Sequence, residues 1–232
     1  MFLHDLLARR VRADGSAPFL TGYTAGQAIG GPHRTELSVR SFANWVAKTA
    51  NLIADEGELS PGDRLELRLN RNQPGHWMTM VWTMAAWQSG VAVVDSAGDL
   101  VVDGPDPGPA PDGVPAYACS LHPLGVGLAA PPAGWADFSN AALAQPDDWF
   151  GDGPESADEL AWEVAGRRLT YAEVAAVAPS AARVLLVDPT DAWAAAESAL
   201  AAPLLGGGSC VVAVALDETA LARIAADEKV GP

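Results

Sequence analysis

The chain has 232 residues, 49% of them apolar, so it can bury a core large enough to fold without disulfides or a metal ion. Fourteen basic and 29 acidic residues give a formal charge of −15, which argues against binding to nucleic acid or to an anionic membrane. No run approaches the roughly 18 apolar residues that span a bilayer. The arginines near the start follow a short apolar run instead of preceding one, unlike in a signal peptide. We therefore expect a cytoplasmic protein.

Metal and redox chemistry have little support in the sequence. The two cysteines, Cys119 and Cys210, are far apart and have no C-x-x-C or His-rich context. The four histidines are scattered, and neither an H-E-x-x-H nor a G-x-S-x-G motif occurs. We expect no metal, no cofactor and no assigned catalytic residue.

The first predicted elements are a helix and a strand pair. Apolar residues at helical spacing predict a helix that ends near Asp14. Phe19–Tyr23 and Arg34–Leu37 are expected to pair as strands across the Gly-rich connection Gly26–Pro32.

Residues 38–94 show the clearest pattern in the chain. An apolar stripe at i, i+3, i+4, i+7, i+10 and i+11 from Phe42 predicts an amphipathic helix. Arg64–Leu69 alternates as a strand, and Pro74–Ser89 predicts a helix that is apolar almost all round and so buried on more than one side. Val91–Val94 is typical of a strand inside a parallel sheet.

Residues 95–160 have a different composition. Pro, Gly and Asp dominate, and Asp147–Glu159 is an acidic run without a basic residue, as in solvated connections. Two ordered islands are expected within it, a strand near Tyr117–Ser120 and a helix near Trp135–Gln145.

Residues 170–215 repeat the order of residues 38–94. A helical stretch that opens at Arg168 is followed by an apolar strand over Arg183–Val187 and a helix. The triple glycine Gly206–Gly208 is expected to end that helix, and a second apolar strand follows. A strand–helix–strand order with short connections implies neighbouring parallel strands.

The expected fold is therefore α/β, with a mostly parallel sheet flanked by helices. It would form a single domain over residues 1–232 with an internal helix–strand–helix–strand repeat. The repeat units are residues 38–94 and 170–215, and the Pro/Gly/Asp-rich connection 95–160 joins them.

Four stretches resemble the opening of the adenylate-forming (AMP-binding, acyl-CoA synthetase-like) superfamily. They are, in the family's order, Thr35–Ser38 with the helix after it, Leu59–Arg64, Leu69–Pro74 and Gln88–Val94. In that family an LTY-x-EL helix leads to GxxPGDRV, an LPN-S-PE loop and a KAGAVVVPL strand. The resemblance implies part of the N-terminal domain of these enzymes, and it is closest to a truncated, uncharacterised actinobacterial AMP-binding-like group.

The resemblance stops at the family's phosphate loop. That loop is rich in Thr, Ser and Gly, ends in Lys-Gly and follows a strand similar to Ala157–Trp162. Here Glu163–Leu169 contains one glycine and no lysine, and the whole chain has only Lys48 and Lys229. Holding a triphosphate needs free backbone N–H groups and a nearby cation. Because the family's C-terminal domain and its lysine also have no counterpart, we expect a pseudoenzyme that makes no acyl-adenylates.

Candidate ligand-binding residues follow two predicted strands, because open α/β sheets bind ligands at the carboxyl ends of their strands. These candidates are Asn70, Arg71, Asn72 and His76 after the first strand, and Asp188, Thr190 and Asp191 in the second unit. Arg71 and His76 would favour an anionic group, whereas Asp188 and Asp191 would repel one. The competing interpretation is that Asn72 caps a helix and Arg71 is solvated.

Three functions remain open at this point. The first is a catalytically inactive protein that binds a small molecule. The second is a protein-interaction subunit or homo-oligomeric scaffold. The third is an enzyme of unrecognised type that uses Asp188, Asp191 and His76 as acid–base groups.

Overall fold

The computed structural model describes residues 1–25 and 32–231. The predicted connection Gly26–Pro32 lies outside this part, apart from Pro32. The helices are α1 (Leu3–Asp14), α2 (Val39–Asp55), α3 (Leu69–Asn72), α4 (Trp77–Gln88), α5 (Phe138–Leu143), α6 (Tyr171–Val174), α7 (Ala192–Ala196), α8 (Ala202–Gly206) and α9 (Glu218–Asp227), with a π-helical segment, Glu197–Ala201, between α7 and α8. The strands are β1 (Pro18–Thr24), β2 (His33–Ser38), β3 (Arg64–Leu67), β4 (Ala92–Val94), β5 (Leu100–Asp103), β6 (Ala116–Ala118), β7 (Ala136–Asp137), β8 (Leu160–Val164), β9 (Arg167–Thr170), β10 (Arg183–Val187) and β11 (Ser209–Val214).

The strands form two sheets, and both are mostly parallel. In the described part of the chain, sheet A has the order β10–β11–β1–β2, and sheet B has the order β7–β6–β5–β3–β4–β8–β9. Adjacent strands run parallel except in the hairpins β1–β2 and β8–β9. Helices pack against both sheets. The expected α/β class is confirmed.

The two units predicted as a repeat have the expected element order, but they lie in different sheets. In the first, β3 and β4 are parallel neighbours in sheet B, with Leu65 beside Val93. In the second, β10 and β11 are parallel neighbours in sheet A, with Leu185 beside Val211. The local pattern predicts pairing inside a unit but says nothing about whether two units share a sheet. The described part of the chain therefore has two sheets, whereas the sequence predicted one.

The segment 95–160 is more ordered than its composition predicts. It supplies β5, β6 and β7 to sheet B, and β5 pairs directly with β3 where Leu65 lies beside Leu100. Leu100 and Val102 are completely buried. This strand has only four residues, and turn-forming residues surround it, so its apolar run is easily overlooked.

The other predictions in this part of the chain hold with shifted bounds. The strand near Tyr117–Ser120 is β6, and the helix near Trp135–Gln145 is the shorter α5. The stretch that opens at Arg168 begins as strand β9, and it becomes helical only after Thr170, whose side chain caps α6.

Helix α4 is the centre of the apolar core. Eleven of its 12 residues, from Trp77 to Trp87, are buried. It packs against α2, against β3 and β4 of sheet B, and against the π-helical segment next to sheet A. Trp82 is completely buried, with its ring centroid 4.9 Å from that of Phe138 and 5.9 Å from that of Tyr117. One core therefore joins the two sheets.

The opposite face of sheet A is closed by α9 and a charged cluster. Glu228, just after α9, accepts hydrogen bonds from Tyr23 Oη (2.5 Å), from Arg34 Nε (2.9 Å) and from Arg183. Burial alone would raise the pKa of Glu228, but the hydrogen bonds from Arg34, Tyr23 and Arg183 lower it to about 2. One ionised carboxylate thus connects β1, β2 and β10 to the C-terminal helix.

Replacing this carboxylate should destabilise the fold in a pH-dependent way. Glu228→Gln should lower the free energy of unfolding at pH 7 by about 1.5–3 kcal/mol, as expected for hydrogen bonds to charged groups. Because the pKa of Glu228 lies below its usual value of 4.5 in the folded protein, its stabilisation is complete above that pH and is lost as the pH falls towards 2. Urea titrations at pH 7 and pH 3 measure the difference.

The matched control is Glu218→Gln, an exposed acidic residue at the start of the same helix. It should change the free energy of unfolding by no more than about 1 kcal/mol, the usual limit for an acidic side chain in the first turn of a helix. An equal loss in both variants, or a Glu228→Gln loss that persists undiminished at low pH, would show that the cluster does not hold α9.

Candidate functional site

A cavity of about 400 Å³ lies at the carboxyl ends of the parallel strands of sheet A. Its floor is one face of the sheet, because alternate residues of a strand point to the same side. Gly22 is paired with Thr35 and Val212 on its two sides, and Thr24 with His33 and Val214. All six residues line the cavity: Gly22, Thr24, His33, Thr35, Val212 and Val214.

Gly22 leaves the centre of this floor open. A Cβ atom built on Gly22 meets no other atom within 4 Å. Glycine inside a strand weakens the strand, because it has no side chain to pack and loses more conformational entropy on folding. Such a glycine often marks a place where another group approaches the sheet closely. Here the space above Gly22 is the cavity itself.

The opposite wall is the loop 72–77, which leads into α4. A Cβ atom on Gly75 would lie 2.5 Å from Pro189 Cγ and 2.8 Å from Val212 Cγ1, so only glycine lets this loop come so close to sheet A. Leu121 and Pro123 complete this side of the cavity. The loops after β3 and after β10, both predicted as ligand-binding, therefore meet across one space.

His76 holds the start of α4. The predicted helix over Pro74–Ser89 begins only at Trp77, and His76, not Asn72, is its N-cap: His76 Nδ1 accepts a hydrogen bond from Met78 N at 3.2 Å. Burial lowers the pKa of His76 to about 4, although a hydrogen bond with the backbone of Leu121 acts in the opposite direction. His76 is therefore neutral at pH 7 and brings no cationic charge to the cavity.

Of the seven candidate residues, four line the cavity in the described structure: Asn72, His76, Asp188 and Thr190. The other three have different surroundings. Asn70 is buried, with 4% exposure. Arg71 is exposed, and its Nη2 donates to Asp95 O at 2.6 Å. Asp191 caps α7, because its Oδ1 accepts a hydrogen bond from Ala194 N at 2.9 Å.

Asp188 adopts a left-handed backbone conformation, with φ +42°. Such a conformation is uncommon for a residue other than glycine. Two hydrogen bonds hold it: Asp188 N donates to Ala213 O at 2.9 Å, and Asp188 Oδ1 accepts from Ala215 N at 2.7 Å. The carboxylate therefore has a fixed position at the cavity.

The sequence reasoning missed the floor and one wall. Gly22, Thr35 and Val212 lie within predicted strands, Thr24 directly follows one, and Leu121 falls in the segment interpreted as a solvated connection. A signal for the floor was present, since an isolated glycine inside a strand pattern often marks close approach to the backbone.

Strands β8 and β9 form a tight hairpin over the residues that the sequence resemblance places at the phosphate loop of the adenylate-forming family. The turn residues Ala165 and Gly166 have φ values of +52° and +76°, and Val164 pairs with Arg167 directly beside them. Ala165 N donates to Asp95 Oδ2 at 2.9 Å. Strand pairing and this bond use backbone groups that a phosphate cradle would need to leave free.

Comparison with solved structures defines the class of protein. An acyl-CoA synthetase from Brucella canis superposes with a TM-score of 0.66 at 16% identity, over 99% of this chain and 46% of that protein. A fatty acyl CoA synthetase from Mycobacterium tuberculosis gives 0.64 at 13% identity, over 99% and 48%. The N-terminal subdomain of Klebsiella oxytoca NpsA, solved in complex with 3-hydroxybenzoyl-AMSN, gives 0.60 at 14% identity, over 99% and 58%. The fold is that of the N-terminal domains of adenylate-forming proteins, and the chain spans about half the length of these structures.

A curated relative identifies the family. No model of a known protein family matches the chain. The TIGR03089 family protein of Mycobacterium tuberculosis (strain ATCC 25618 / H37Rv) is 30% identical over 249 residues, covering 97% of this chain and 94% of that protein. The chain belongs to the TIGR03089 family, and its resemblance to acyl-CoA synthetases is confirmed.

A helix that crosses a bilayer must be both long and apolar, and this requirement applies to the helices of the described residues. None of them is both long and apolar enough to cross a membrane.

The protonation of His76 can be tested directly. Its imidazole should titrate with a pKa near 4, which NMR of the ring protons and carbons measures, with His76→Asn identifying the resonance. Because the unfolded chain takes up this proton near pH 6.5, the free energy of unfolding should fall as the pH drops from 6.5 towards 4. A measured pKa at or above 6.5 would mean that His76 is not the neutral cap described here.

Proposed function

We propose that this protein binds a small molecule in the cavity of sheet A and makes no acyl-adenylates. The observation that carries the proposal is the preformed cavity above Gly22. Its volume of about 400 Å³ lies in the range of ligand sites. Its lining combines apolar side chains with a few threonine and amide groups, which is the usual composition of such sites.

The β8–β9 hairpin supports the second half of the proposal. Its two arginines are engaged with the protein: Arg168 Nη1 lies 2.9 Å from Glu163 Oε1, and Arg167 lies over the ring of Trp193 at 5.9 Å. A phosphate would have to compete with these partners and would find a closed turn in place of free backbone N–H groups. Adenylation needs positioned cations to stabilise the charge that develops on the α-phosphate.

Adenylate formation can be tested by ATP–pyrophosphate exchange. With a broad panel of carboxylic acids, the protein should show no exchange above the background without protein, while an active acyl-CoA synthetase in parallel shows that the assay works. Acid-dependent exchange above background would contradict the inactivity but leave the binding proposal standing.

Binding in the cavity can be tested by filling it. A thermal-shift screen of a diverse fragment library should yield compounds that raise the melting temperature, because they bind only the folded protein. Gly22→Phe should abolish these shifts by placing a ring in the open space above the strand. Gly22→Ala, the matched control, should retain most of the shift because one methyl group fills little of the cavity.

Both variants should fold, since a Cβ atom at this position meets no other atom within 4 Å and strands favour Phe over Gly. Circular dichroism and the melting temperature without ligand check this. Ligand-induced shifts that are the same in Gly22→Phe as in the unmodified protein would place binding elsewhere, and a library without a single binder would refute the proposed function.

A further inference from the structure

The charge of the cavity lining points to the class of ligand. The described lining residues include no lysine and no arginine, and Asp188 is their one carboxylate. The two histidines are the neutral His76 and His33, an exposed residue on the edge strand β2. Residues 26–31, outside the described part, consist of Gly, Gln, Ala and Ile and thus carry no charge.

The arginines closest in sequence to the lining are held elsewhere. Arg34 lies between His33 and Thr35, but strand alternation places its side chain on the other face of sheet A. There its Nε lies 2.9 Å from Glu228 and its Nη2 2.5 Å from Glu36. Arg71, in the loop after β3, donates to the backbone of Asp95 instead of the cavity.

Helix N-termini, the other common source of positive potential, are partly satisfied by side-chain caps. The two helices that start beside the cavity loops, α4 and α7, are capped by His76 and Asp191. Each cap accepts a backbone N–H that would otherwise be free to bind an anion. Asp191 adds a second carboxylate close to this edge of the sheet.

An anion in this cavity would therefore lose its hydration without gaining a cationic partner. Taking an unpaired charge out of water is unfavourable, and the exposed carboxylate of Asp188 adds repulsion to that cost. A neutral or positively charged head group meets neither penalty, while the apolar surface of the cavity favours an apolar body.

We infer that the cavity accepts uncharged or cationic molecules with an apolar body and excludes carboxylates and phosphates. This inference rests on the proposed function, because it requires that the cavity bind small molecules at all. It makes Asp188 the residue that determines charge selectivity. It also gives the cavity a ligand class different from the anions that an adenylate-forming reaction would handle.

Matched head groups on a common body test the inference. The probes are decanol, decylamine and decanoate, and 2-naphthylmethanol, 2-naphthylmethylamine and 2-naphthoate, each below its aggregation limit. Calorimetric titration at pH 7.5 and 0.15 M salt, where charges beyond about 8 Å are largely screened, limits the effect of the net charge of −15. In at least one set, the alcohol or the amine should bind at least tenfold more tightly than the carboxylate.

Variants connect the selectivity to the site. Asp188→Asn keeps an oxygen to accept the hydrogen bond from Ala215 N and should reduce the preference against the carboxylate at least threefold. Asp152→Asn, which removes one exposed acidic charge from a distant part of the sequence, should leave the preference unchanged. Gly22→Phe should abolish binding of the alcohol and the amine.

The outcomes separate the two proposals. A carboxylate that binds as tightly as its alcohol and amine, and loses binding in Gly22→Phe, overturns the charge selectivity while the binding function stands. No binding by any of the six probes overturns the inference about the ligand class, whereas the binding function itself is decided by the fragment screen. An equal effect of Asp188→Asn and Asp152→Asn would refute the role of Asp188.

Discussion

Helix α4 has no side that faces water, and this burial determines how the rest of the molecule is arranged. A helix that is apolar all round must be surrounded, and α4 is enclosed by α2, by sheet B and by the π-helical segment of the sheet A unit. Because α4 cannot shift without opening the core, its N-terminus is fixed. His76 caps that end, and the loop before it comes close to sheet A, where Gly75 packs against Pro189 and Val212. The cavity thus lies between a sheet and the end of a helix that the core holds in place.

The elements with strong local patterns were predictable from the sequence. The stripe from Phe42 and the all-round apolar run of α4 predict helices because burial alone selects those spacings. Strand β5 was not predictable, because four residues among prolines, glycines and aspartates give too short a signal. The division into two sheets could not be predicted either, because it depends on which strands meet after the units fold, not on the pattern within each unit.

The position of the candidate site could be predicted from local sequence patterns, but the side chains that line it depend on the tertiary fold. The rule that ligand sites lie at the carboxyl ends of parallel strands identified both loops that border the cavity. It could not say which side chains turn inwards. Asn72 and Thr190 line the cavity, whereas Arg71 and Asp191 are taken up by a backbone carbonyl and by a helix cap. A residue type reveals which partners a side chain can bind, and only the fold decides which partner is nearest.

Asp95 connects the loop that leads to the cavity with the β8–β9 hairpin. The backbone oxygen of Asp95 accepts a hydrogen bond from Arg71 Nη2. Its side-chain carboxylate accepts one from the backbone N–H of Ala165, in the turn of the β8–β9 hairpin. The same residue thus holds the turn of the β8–β9 hairpin and the guanidinium of Arg71. Here each is fixed by the protein, while the apolar cavity above Gly22 needs neither. In this member of the TIGR03089 family, the cavity therefore depends on α4 and sheet A and not on the hairpin in sheet B.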